Sequence, residues 1–440
     1  MKNTKLFNLF IFLLTLNLSF GQSYVGHSID NYSGIHGVVY NPSSIVGSNL
    51  RADINLFSAS LFGGSDYFGI NVSDILNSDG GFDFEDDAKK FPSNTNNFFV
   101  NVDVVGPSFM FNLNKKSSIG VISRVRANMN INNINGELYE TISNDFDSDD
   151  DFDFDSKDLT GTIHAWAEVG LAYGRILIEK PNHLLKGGVT LKYLQGAGSA
   201  FMSSPELQGF YSESAETLTT QGNLIYGTSQ DFESDDLDFS NLTAGFGLDV
   251  GFTYQWYSNR ENDSLPTYKT PYKLKVGVSV TDIGSINYDN STVNNYDLNA
   301  TVDTSDSEDD TEDFLEDNYN GVETIEEAKI KLPTALHLLV DYRLAKKWFV
   351  SAQANLSMVK KGSEMSTSII NTVTVAPRLE TKWFSFYAPL SFRQYGDTSF
   401  GGGIRVGPLT VGSGSVFTNL LSDSSKTTDV YLGLNIPLYR

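Results

Sequence analysis

Eight aspartates fall within the fifteen residues NDFDSDDDFDFDSKD, 144–158. Asp149, Asp151 and Asp153 alternate as the early ligands of a calcium loop do. Such a loop needs glycine at its sixth position and a bidentate glutamate at its twelfth; those positions hold Phe154 and Thr160. No tight metal site is expected, and the sequence assigns no cofactor. The five histidines, His27, His36, His164, His183 and His337, are the other candidates for chemistry. His164 and His337 share alternating faces with Glu168 and Asp341, but four residues along a strand span roughly 13 Å, too far for direct pairing. No nucleophile motif accompanies either histidine. Cross-strand hydrogen bonding accounts for both, and no enzyme is expected.

The elements that must carry these residues alternate with period two. In FSNLTAGFGLDVGFTYQWY, residues 239–257, one face holds Leu242, Ala244, Phe246, Leu248, Val250, Phe252, Tyr254 and Trp256; the other holds Asn241, Thr243, Asp249, Thr253, Gln255 and three glycines. Aromatics gather at the TYQWY end, as where a strand meets a lipid headgroup layer. The pattern recurs and predicts about fourteen strands, near 51–73, 98–113, 117–131, 160–178, 186–201, 239–257, 272–289, 330–343, 348–361, 366–378, 383–394, 398–406, 409–418 and 428–438. The stretch 51–73 could divide in two, and 217–229 could add to the sheet. Many patterns outlast the five or six residues usual for soluble strands. They fit an all-β fold, a transmembrane antiparallel β-barrel, closed because an open edge in lipid would strand backbone donors.

Short connections such as NLNKKSS, EKPNHLLK, LAKK and LETK carry basic residues, and four long ones carry the acid. The two kinds alternate, placing turns at one rim and long acidic extracellular loops at the other. The Asp-rich stretch is thereby expected to be one of these loops. Its phenylalanines, Phe146, Phe152 and Phe154, and those of its relatives, Phe82, Phe84, Phe232, Phe239 and Phe314, either pack loop against loop or grip a partner.

A net charge of −23 repels phosphate backbones, so nucleic acid is not an expected partner. The absence of cysteine excludes disulfides and thiolate metal sites. Residues 1–21 combine a basic start, an apolar run and small residues Ser19 and Gly21, the pattern of a cleaved signal peptide. That places the mature chain outside the cytoplasm, with outer-membrane lipid as its first partner. By parity, Arg124, Arg126, Glu168, Asp249, Lys273, Lys275, Asp341, Arg343 and Arg393 project into the lumen. Both signs are present, which favours a filled interior over an open ion-selective pore.

Residues 22–50 precede the barrel of 51–440 and lack long alternation; near their end stands Asn41, Pro42, Ser43, Ser44. This placement resembles the FadL and PorV group of outer-membrane barrels, in which a short N-terminal hatch with an Asn-Pro motif occupies the lumen. SVTDIGSINYD (279–289), KLPTALHLLVDYRLAKKWFVSAQANLS and the closing GPLTVGSGS and DVYLGLNIPLYR segments resemble an uncharacterised FadL-like barrel family of Bacteroidota. The resemblance implies one of two functions. One is passage of a small hydrophobic or amphipathic molecule, with an apolar pocket at the hatch. The other is a non-transporting scaffold or partner subunit working with another envelope protein.

Overall fold

The computed structural model describes residues 24–69, 88–144, 146, 148, 150–229, 242–258, 272–305, 311–395, 397–422 and 424–440. The expected signal peptide, Asp149 and Phe82, Phe84, Phe232 and Phe239 lie outside the described residues.

Fourteen antiparallel strands close into a barrel. They are β1 (Leu50–Ser65), β2 (Asn96–Val105, resuming at Ser108–Asn112), β3 (Ser117–Ile134), β4 (Phe152–Lys180), β5 (His183–Ser212), β6 (Thr243–Trp256) and β7 (Leu274–Asp297). There follow β8 (Asn320–Lys331, resuming at Ala335–Arg343), β9 (Trp348–Ser357), β10 (Thr372–Glu380) and β11 (Phe384–Tyr387 with Leu390–Arg393). The last are β12 (Asp397–Phe400 with Gly402–Val406), β13 (Leu409–Ser413) and β14 (Thr427–Tyr439). Prolines 107, 333 and 389 fall in three of the interruptions, where a residue without an N–H costs the ladder least. Closure runs from Leu50 opposite Tyr439 to Gly64 opposite Thr427.

The wall is apolar outside and polar inside. Each strand turns at least one large apolar side chain outward, among them Leu61, Phe109, Val125, Leu171, Leu191, Phe246, Val278, Val340, Trp348, Val375, Phe386, Ile404, Val411 and Leu432. Tyr173, Trp256, Tyr342, Trp348 and Trp383 are exposed near the turn end, an aromatic girdle of the kind found at a lipid interface. Inward positions hold buried Ser, Thr, Asn, Gln and charged residues instead.

At the loop end the sheet outgrows the barrel. Strands β4 and β5, of 29 and 30 residues, stay paired from Phe152 opposite Tyr211 to Lys180 opposite His183. At ~3.3 Å per residue they reach about 95 Å, some three times the hydrocarbon core of a bilayer. A strand at Thr217–Thr228 inserts between β5 and β7, as its alternation allowed. With helices α2 (Gly136–Ser143) and α3 (Thr311–Asn318) this extension encloses an apolar cluster containing Tyr67, Phe98, Leu138, Phe154, Tyr211, Tyr296 and Phe314.

Part of the Asp-rich stretch is therefore strand rather than loop. Phe152 and Phe154 alternate with Asp153 and Asp155, so the rings face the cluster and the carboxylates face water. Among the described phenylalanines, Phe146 lies 4.7 Å from Phe314, and Phe152 stacks on Tyr211 at 5.5 Å.

Candidate functional site

The hatch segment, residues 24–49, is largely buried and bonded to the inner wall. Its helix α1 (Ile35–Tyr40) is followed by a 3-10 turn at Pro42–Ile45. Asn41 caps that turn, its Oδ1 accepting from the Ser43 N–H at 3.0 Å and Ser43 Oγ at 2.7 Å. Proline at the first helical position needs no partner for a missing N–H. The Asn41 amide then donates to the Phe252 and Val278 carbonyls, each at 3.2 Å, and Ser43 Oγ bonds Thr253 Oγ1 at 2.7 Å. Ser44 donates its N–H to the Asn41 carbonyl.

The wall is cut to receive this motif. A Cβ at Gly188 would stand 2.4 Å from the Pro42 carbonyl, and one at Gly251 would stand 2.2 Å from Asn41 Oδ1. Only glycine permits backbone and hatch to approach so closely.

Three carboxylates secure the hatch elsewhere. Asp53 of β1 accepts from the Ile35 N–H at 2.9 Å, capping α1 from the wall, and from Asn435 at 3.0 Å. Asp30 of the hatch accepts from Arg405 Nε at 3.1 Å and from the Tyr387 hydroxyl. Arg405 also donates to the Thr381 carbonyl and Ser385 Oγ. Neighbouring Asn31 donates to both oxygens of Glu380.

Seven charges fill the loop-side lumen. Arg124 forks onto Asp103 at 2.9 and 3.1 Å and reaches Glu168 at 2.8 Å. Arg126 meets Asp282 at 2.8 Å and lies over Trp166. Lys192 stands between Asp282 at 2.6 Å, Asp249 at 2.9 Å and Glu168 at 3.6 Å. Asp282 belongs to the Asp-Ile-Gly segment: its left-handed backbone (φ 58°) makes a bulge opposite 248–250 that turns the carboxylate inward and leaves Ile283 outside. Buried charges so completely paired specify one arrangement and forbid losing any single member cheaply.

Toward the turns, Arg378 bridges Asp341 at 3.0 Å and Glu380 at 2.9 Å, and Lys275 approaches Asp341 at 3.6 Å. At the loop end, Arg393 pairs with Asp429 and donates to Thr427 Oγ1. One of the nine parity assignments falls elsewhere. Lys273, just before β7, still bonds the Trp256 carbonyl and the Arg343 N–H through its backbone, but its ammonium sits over the outward Tyr342 ring and donates to the Arg343 carbonyl. Arg343 is half-buried at the end of β8. Alternation also places Asp103, Lys192, Arg378 and Arg405 inward, whereas Asp30 and Asp282 sit where no periodicity could point.

His164 and His337 make structural bonds. His164 Nε2 meets the Tyr288 hydroxyl at 3.1 Å and stacks on Trp166. His337 bonds Thr281 Oγ1 at 2.9 Å and Asn355 Oδ1 at 2.6 Å, spanning three strands. Among the described residues no three His, Cys, Asp or Glu side chains gather as a metal set. Asp151 instead accepts from the Glu213 N–H at 2.8 Å.

Hatch and charges leave separate spaces. A cavity of about 90 Å³ on the loop side is lined by Val39, Phe62, Phe99 and Ile370 together with His36, Asp103, Arg124 and Arg126. A second, of about 220 Å³, lies between the hatch and the turns.

A model of a family of unknown function (DUF5723) matches residues 42–414. No curated protein matches the sequence. Among solved structures, the chain is similar to the Pseudomonas putida toluene transporter TodX at 8% identity and TM-score 0.41, over 95% of this chain and 97% of that one. It is similar to a Pseudomonas aeruginosa FadL homologue at 12% identity and TM-score 0.41, over 93% and 94%. A third is the monoaromatic hydrocarbon channel CymD, at 9% identity and TM-score 0.42, over 96% and 95%.

Proposed function

This chain belongs to a family of unknown function (DUF5723), and we propose from its own residues that it is an outer-membrane barrel sealed by its hatch, serving as a non-transporting partner subunit of an envelope assembly. The band of outward apolar side chains supports lipid as its solvent. One observation carries the subunit reading: the hatch is bonded into the wall at Asn41, Ser43, Asp30 and Ile35, with the charge network stacked above it. Beyond that closed lumen stands an extension with an apolar core of its own, built to present a surface rather than a mouth.

The second reading is passage of a small hydrophobic molecule. The apolar residues lining the loop-side cavity favour it. Against it stands the cavity's size, about 90 Å³, when roughly 150 Å³ of purely apolar space holds one benzene. Mild-detergent purification from the native envelope, paired with uptake of a small hydrocarbon into proteoliposomes, separates the two. The subunit reading expects a stoichiometric envelope protein and no uptake above protein-free vesicles. Saturable uptake by the barrel alone would establish the other.

A further inference from the structure

The cavity at the turn end combines features that point to a ligand, independently of the role just proposed. Its roof is the underside of the hatch, and its walls are the turn-end residues of β5, β6 and β7. Ser48, Asn49 and the exposed Lys346 line it toward the turns.

Lys186 is 4% exposed and lines this space. Its ammonium has three donors and makes one hydrogen bond, to the Val46 carbonyl at 2.9 Å. No carboxylate of the described residues forms a salt bridge with it; its charged neighbours are Lys275 and Arg440, both cations. An uncompensated buried charge is costly, so a missing counter-charge is the natural question.

The carboxylates around the cavity are already engaged. Asp30 belongs to Arg405 and Tyr387, and Glu380 to Arg378 and Asn31. Lys275 donates to the Ile29 carbonyl at 3.1 Å and to Asn31 Oδ1 at 3.4 Å, and among the described residues its one salt bridge is to Asp341 at 3.6 Å, which Arg378 holds more closely at 3.0 Å. In a chain of net charge −23 this chamber therefore carries excess positive charge. Its neutral lining is hydrogen-bonding: Gln255 accepts from the Tyr257 hydroxyl at 2.8 Å through Oε1, which leaves its Nε2 to donate into the cavity.

We propose that this chamber binds a small hydroxylated monocarboxylate, its carboxylate on the Lys186 ammonium and its hydroxyl among Gln255 and its polar neighbours. The volume of about 220 Å³ suits a molecule of roughly eight to ten heavy atoms, scaled from the benzene-sized cavity of ~150 Å³. A lone ammonium and amide donors suit a monoanion; a phosphate dianion calls for forked arginine donors, and the arginines here are committed to carboxylates.

The test is ¹⁹F NMR on the detergent-solubilised full-length protein, with 3,3,3-trifluorolactate as ligand and the neutral 3,3,3-trifluorolactamide as control. The acid is expected to broaden saturably, and the amide to bind at least about tenfold more weakly, as a lost charged hydrogen bond implies. Lys186→Met should weaken the acid by about ten- to hundredfold, with boiling-dependent gel mobility confirming a folded barrel. Should that variant fail to fold, Gln255→Ala carries the test, with a several-fold loss expected. Equal binding of acid and amide, no saturable binding of either, or an unchanged affinity in the folded variants would overturn the proposal.

Discussion

The contact between Asn41–Ser43 and the wall glycines permits a direct test of how the lumen is closed. In the double variant Gly188→Leu, Gly251→Leu, new Cβ atoms would stand 2.4 Å from Pro42 backbone and 2.2 Å from Asn41 Oδ1. Ordinary contact is about 3.4 Å or more, so the hatch must retreat by roughly 1 Å at two points. At Gly188 the obstacle is backbone, which cannot rotate away. A retreat of that size breaks bonds now 2.7 to 3.2 Å long: Asn41 to Phe252 and Val278, and Ser43 to Thr253. Three bonds at about 1 kcal/mol each, plus polar groups left unsatisfied, put the cost near 4 kcal/mol. That is enough to undock the hatch while the barrel ladder stays paired. Single-channel recording in planar bilayers reads the result. The wild type should give no steps and the double variant discrete openings, both retaining boiling-dependent gel mobility. A folded double variant that stays silent would refute the reasoning, since something other than the docked hatch would then be closing the lumen.

Further outcomes follow from the same geometry. Asp282→Ala leaves buried Arg126 without its salt bridge and takes the nearest of three carboxylates from Lys192; denaturant unfolding in micelles should show a loss of about 3–5 kcal/mol, and a loss under 1 kcal/mol would count against a single coupled network. Phe314→Ala removes a buried ring of the loop-end cluster, so limited proteolysis should cut the extension faster while the barrel fragment resists as before. Glu140 on α2 is partly buried, which raises its pKa, but hydrogen bonds from Lys90 and Tyr67 outweigh this and hold it below the usual carboxylate value. Its contribution is therefore complete above the ordinary carboxylate pKa and fades as pH falls through the lowered one. Hydrogen exchange of α2 amides, corrected for intrinsic rates, should quicken between neutral pH and pH ~3, and Lys90→Met should blunt that dependence.

Where the ladder is regular, period two was enough to read both faces. Phe246 and Trp256 face out, Asp249 and Gln255 face in, and Arg124 and Glu168 meet inside, all from alternation alone. Parity fails at two places: the long Lys273 side chain ends over the outward Tyr342 ring, and Asp282 sits in a left-handed bulge that resets the count. Charge density misled in the opposite direction. Asp153 and Asp155 read as loop, yet the phenylalanines between them have an apolar cluster to face, and burial of one side suffices for a strand. The hatch has no periodicity at all; only Asn41-Pro42 marked it, and the partners Asp53, Gly188 and Gly251 are dispersed along the chain, joined only by closure of the barrel.

The account stands on the outward apolar side chains being solvated by lipid. Spin labels placed singly at Leu171, Leu191 and Val278 in liposomes, with Lys115 as the turn-end control, measure this through collision with oxygen and with a water-soluble nickel chelate. Oxygen-dominated relaxation at the first three sites and nickel-dominated relaxation at Lys115 is the predicted result. Strong nickel access at Leu171, Leu191 and Val278 would contradict it.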